Sequence, residues 1–78
     1  MNEKQAIKNA DVLEFAVFCI ENVADRLGVR AEKVYEAFVK SNILNGYIAP
    51  EYEMLHTQSK AYIIDDLLEL MQERGVAV

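Results

Sequence analysis

Apolar side chains recur roughly every three to four residues along this chain, the period of an α-helix, and no stretch alternates as a strand does. The first segment runs from about Asn9 or Asp11 to Leu27. Set at about 100° per residue, Val12, Leu13, Ala16, Val17, Cys19, Ile20, Val23, Ala24 and Leu27 fall on one broad face. Glu14, Glu21 and Asp25 fall opposite, with Phe18 among them and Phe15 at the edge of the apolar arc. Asp11, followed three positions on by Glu14, predicts an N-terminal cap, and Gly28 predicts the stop. AEKVYEAFVKS predicts a second, shorter helix. Val34, Tyr35, Ala37, Phe38 and Val39 form its apolar face; Glu32, Lys33, Glu36 and Lys40 form its polar one.

NILNGYIAP predicts a short helix or turn at its Asn-Gly pair, and EYEMLH one or two helical turns with Pro50 at the start. Gly46 and Gly75 join Gly28 as punctuation between segments. From about Ser59 to Arg74, Ile63, Ile64, Leu67, Leu68, Leu70 and Met71 make a third long stripe. Asp65, Asp66, Glu69 and Glu73 gather on the other side, around Tyr62. The fold class expected is all-α, a small helical bundle of three main helices plus one or two short ones. It forms one domain over residues 1–78, with residues 1–8 fraying at the N-terminus.

Composition adds a tension. A chain of 78 residues holds one core and buries only about 60% of its unfolded surface, yet 53% of its residues are apolar. Either the core is dense in large side chains, or another chain covers some of them. The net charge is −5, and the eight Lys and Arg are scattered among acids rather than gathered into the basic stripe that phosphate binding needs. That balance argues against nucleic acid and anionic membrane surfaces, and favours basic partners. A single cysteine cannot form an internal disulfide, which suits a reducing compartment. The longest apolar run, FAVFCI, is far short of the roughly 20 residues that span a bilayer, and the polar start lacks a signal-peptide core. A soluble cytoplasmic protein is expected.

Candidate chemistry is sparse. One cysteine and one histidine do not build a structural zinc site, and the carboxylates on the last helix lack a loop supplying carbonyl ligands. His56 beside Thr57 and Ser59 is sequence adjacency, not a nucleophile positioned by a base. Cys19 lies in an apolar run, where thiols are buried and inert. No glycine-rich phosphate loop is present. No catalytic residue, metal or cofactor is therefore expected. His56, Thr57 and Gln58 read as a structural junction: His56 in the last turn of a short helix, where its ring meets free carbonyls, and Thr57 or Ser59 capping the next.

Two features point instead to a protein partner or a homodimer. Phe15 and Phe18 put aromatic surface beside an acidic sector, as interfaces do, or else helix 1 is packed on nearly every side. Asp65, Glu69 and Glu73, spaced so that like charges repel, together with Asp66 would suit a basic surface, with Tyr62 as aromatic anchor.

FAVFCIENVADRLGV, VYEAFVKSNIL and YEMLHTQSKAYIIDDLLELM together resemble the uncharacterised bacterial family known as domain of unknown function 3791, over nearly the whole chain. The most specific block is Leu55, His56, Thr57 and Gln58 followed by Tyr62, Ile63, Ile64, Asp65 and Asp66. Many relatives carry glycine where this chain has Ser59, an exchange that argues against a turn needing positive φ there. The resemblance implies a small helical protein and carries over no established activity. Family members tend to be encoded near short genes, some resembling ADP-ribosyltransferase-type toxins, which implies an accessory or antitoxin-like role.

The expectation is a non-enzymatic helical module that binds another protein. Two alternatives are carried: a DNA-binding helix-turn-helix over residues 29–41, and an enzyme centred on His56.

Overall fold

The computed structural model describes residues 10–78; the fraying expected for residues 1–8 lies outside them. Among the described residues the chain is helical and contains no strand. The elements are α1 (Ala10–Leu27), α2 (Ala31–Lys40), a π-helical turn (Leu44–Ile48), the one-turn α3 (Tyr52–Leu55) and α4 (Lys60–Glu73). α1 is central and packs against both α2 and α4, while α2 also packs on the π-helical turn.

Helix ends follow local chemistry. Gly28, at φ 69°, ends α1: its N–H donates to the Asp25 carbonyl, and that of Val29 donates to the Ala24 carbonyl. Gly75, at φ 67°, ends α4 identically, donating to Gln72 while Val76 donates to Met71. This paired pattern satisfies carbonyls that a helix end leaves open, and glycine adopts the left-handed conformation without a Cβ penalty. Gly46 does not end a helix. Asn42, at φ 64°, closes α2 instead, and Gly46 lies within the π-helical turn with Asn42 packed where its side chain would be. α1 is already helical at Ala10, so Asp11 sits in the first turn and not at the cap. Pro50 lies one residue before the α3 cap, Glu51.

The core is built from Val23, Val34, Phe38, Ile43, Ile48 and Leu67, all with no measurable exposure, and Cys19 lies among them. Burial pushes the Cys19 thiol up to about 12. The buried stripe of α1 is Val12, Phe15, Ala16, Cys19, Ile20, Val23 and Ala24. Phe15 is inside this stripe and not at its edge, while Leu13, Val17 and Leu27, expected inside, are exposed. Tyr52 of α3 covers Phe15 on that side of the helix, whereas Leu13 and Val17 stay about half exposed. On α2 the core takes Val34, Ala37 and Phe38 and leaves Tyr35 and Val39 outside. The α4 stripe buries Ile63, Ile64, Leu67 and Met71, with Leu68 and Leu70 half-buried.

Candidate interaction site

The His56 region is a helix junction by geometry. The His56 N–H donates to the Tyr52 carbonyl at 3.0 Å, closing α3, and the Gln58 N–H donates to Leu55 at 3.0 Å. The Thr57 hydroxyl turns back to donate to the Met54 carbonyl at 2.8 Å. Ser59 is the cap of α4: its backbone is extended at φ −68° and its hydroxyl accepts the Tyr62 N–H at 3.1 Å. Serine suits this role better than glycine because it supplies the acceptor for an orphan N–H. The His56 ring lies face to face with Tyr52, centroids 4.3 Å apart and planes within 7°. Its contact is thus aromatic, where the sequence pointed to carbonyls.

That pair is the outer end of a ladder. Tyr52 meets Phe15 edge-on at 5.4 Å, and Phe15 stacks on Phe18 at 6.1 Å. Phe15 is buried and Phe18 is half-buried against the core, its carbonyl accepting the Asn22 side-chain amide at 2.8 Å. The aromatic among acids is therefore accounted for within the chain: α3 brings Tyr52 to α1, and the ladder extends the core around the helix.

The acidic side of α4 divides. Asp65 accepts Arg26 of α1 at 2.7 Å, an exposed pair worth about 0.2–1 kcal/mol. Asp66 accepts the Tyr47 hydroxyl at 2.5 Å, tying the π-helical turn to α4. Burial and this bond raise the Tyr47 phenol above its ordinary range. Glu69, Glu73 and Tyr62 remain exposed. The structure thus does not bring all the sequence-flagged residues to one surface: Phe15 and Phe18 belong to the ladder, and Asp65 and Asp66 fasten α4 to its neighbours.

A different surface emerges on the outer side of α1 and α2. Leu13 (49%), Val17 (43%), Tyr35 (51%) and Val39 (45%) are large apolar side chains that these helices expose, in addition to Leu27 at the end of α1. Val17, Ile20, Ala31 and Tyr35, with Glu21 and Glu32, line a cleft of about 350 Å³ between the two helices. The Glu32 carboxyl is held below the usual carboxylate range by a backbone hydrogen bond at its own residue and then by Arg30, 3.6 Å away. Periodicity alone assigned these four apolar residues to the core. The signal against that was the width of the arc: a face that also includes Phe15 is broader than one neighbour on each side can cover.

Among the described residues, no group of three or more His, Cys, Asp and Glu stands where it would hold a metal ion. No described helix is long and apolar enough to cross a membrane. The exposed side of α2 mixes Glu32, Lys33, Glu36 and Lys40 with Tyr35 and Val39. No curated protein and no solved structure matches this chain. A family model does match, over residues 14–74, a span that holds the aromatic ladder, the junction and both faces of the α1–α2 cleft; the chain belongs to that family, the protein of unknown function family DUF3791.

Proposed function

We propose that this protein is a non-enzymatic cytoplasmic interaction module that works by holding another protein, in the accessory or antitoxin-like setting that the family resemblance implies. The observation that carries this reading is the row of large apolar side chains left uncovered along α1 and α2. About half of each of these side chains is left in solvent, and apolar surface of this kind marks contacts. The cleft they border is a shallow feature between two helices, suited to receiving side chains of another protein.

Co-purification from native cell extract, with light scattering on the isolated protein, tests the reading. A stoichiometric complex or a defined homo-oligomer is expected. A monomer at high concentration that recovers no protein from its own extract would refute it.

A further inference from the structure

The cleft between α1 and α2 has a charge pattern as well as an apolar floor. Its floor is Val17, Ile20, Ala31 and Tyr35, and its rim carries Glu21 and Glu32. Glu14 stands one turn before Val17 on α1, extending the acidic edge. Among the described residues, Arg30 pairs loosely with Glu32 at 3.6 Å, with both side chains largely in solvent. Lys33 and Lys40 line a separate cleft, together with Glu36, Ala37, Ala77 and Val78. Of the charged side chains of α2, the acid Glu32 lines this cleft, while both lysines line the other one together with Glu36.

We propose that this cleft is the docking groove for an amphipathic helix of another protein whose apolar stripe is flanked by Lys or Arg. This rests on the reading of the protein as an interaction module and specifies its partner. An apolar stripe spaced three and four residues apart would seat its side chains on Val17, Ile20 and Tyr35, in helix-in-groove recognition. Leu13 and Val39, each four residues from a groove residue on its own helix, prolong the contact along both walls. Flanking cations would reach Glu21 and Glu32, with Arg30 displaced from its loose pairing. A second copy is the poorer occupant, because it carries the same carboxylates at its rim and a net charge of −5 opposing −5.

The test titrates ¹⁵N-labelled protein with two designed helical peptides of about 18 residues, five turns long. Both carry the same leucine stripe; one is flanked by lysines, its twin by glutamates. The lysine peptide should shift the amides of Val17, Ile20, Ala31 and Tyr35. It should bind at least about tenfold tighter than its twin at low salt, the gap closing toward about 0.5 M. The double variant Val17→Glu/Tyr35→Glu separates groove recognition from bulk attraction, since it makes the surface more acidic while removing the apolar floor. Both positions are exposed, so the fold persists, with far-UV circular dichroism as the check. Loss of binding by about tenfold or more in this variant supports the groove; unchanged or tighter binding overturns it. Equal binding of the two peptides, shifts confined to α4, or no binding also overturns it. A concentration-dependent dimer abolished by the same variant overturns the choice of partner while leaving the interaction-module reading standing.

Discussion

Replacing His56 by alanine measures how firmly the aromatic ladder ties α3 to α1. The substitution keeps the backbone bond to the Tyr52 carbonyl and removes only the ring stacked 4.3 Å from Tyr52. One ring pair contributes about 0.5–1.5 kcal/mol beyond burial. His56 is exposed, so the burial component is small and the expected loss is about 0.5–1 kcal/mol. For a domain of this size that lowers Tm by about 2–8 °C. Tyr52→Ala removes two ring contacts and a half-buried side chain, and should cost about 2–3 kcal/mol. Urea titrations of the wild type, both single variants and the double variant, followed by far-UV circular dichroism, close the cycle. The double variant should be less destabilised than the sum of the singles by about 0.5–1 kcal/mol. Strict additivity would refute the stacking argument. Loss of partner binding in His56→Ala at unchanged stability would refute the structural role altogether.

Phe38→Ala empties the centre of the core and should cost about 3–5 kcal/mol, a large part of the roughly 4–12 kcal/mol such a domain holds; a denaturation midpoint unchanged from wild type would contradict the core assignment. Tyr47→Phe removes the bond to Asp66 and should cost about 1 kcal/mol near pH 8, measured by urea titration. Because the folded phenol holds its proton above the ordinary tyrosine value, that contribution is whole below about pH 10 and lost as pH rises beyond it, so the two proteins should converge in alkali. The Cys19 thiol, buried and with its pKa pushed up to about 12, should react with a thiol reagent at pH 8 only as fast as the domain opens, and rapid labelling of native protein would contradict its burial. Gly46→Ala must displace the Asn42 side chain, whose Nδ2 lies where the added carbon would go, against a helix-propensity gain of about 1 kcal/mol; pairing it with Asn42→Gly should leave the gain uncovered and stabilise the domain by urea titration.

Most of the helices were legible because their signals are local. Gly28 and Gly75 end helices for a reason contained in a few residues, and so does Ser59 as a cap. The stripe Ile63, Ile64, Leu67 and Met71 is buried as its spacing required. Less legible was which way α1 faces. Its apolar residues cover so much of the circumference that the buried sector depends on what packs there, and one such partner, Tyr52 against Phe15, is more than thirty residues away. Phe18, which sequence left between an interface and a crowded helix, is half-buried and stacks on Phe15 of its own helix. The π-helical turn was read only as a short helix or turn, since its form depends on Asn42 taking a left-handed conformation that glycine was expected to supply.

The turning of α1 toward Tyr52 has a cost on its other side, and that cost defines the candidate site. Each degree of rotation that brings Phe15 under α3 carries Leu13 and Val17 outward. A chain selected only for stability would put polar residues there, because exposed Leu and Val contribute little to folding and favour association. The protein instead keeps Leu13 and Val17 on α1 and Tyr35 and Val39 on α2 exposed, with Val17 and Tyr35 lining one cleft and Lys33 and Lys40 lining another with Glu36. The acidic surface of α4, the obvious candidate from sequence, spends Asp65 and Asp66 on internal partners. The cleft between α1 and α2 combines exposed apolar side chains with the carboxylates of Glu21 and Glu32. If the ladder is what fixes the rotation of α1, then Tyr52→Ala should weaken binding at that cleft although it lies on another face of the helix. Val39→Ala, at the far edge of the same wall, should weaken it without loss of stability. Peptide titration alongside urea titration of both variants separates the two effects; retained binding in a destabilised Tyr52→Ala domain would show that the cleft forms independently of the ladder.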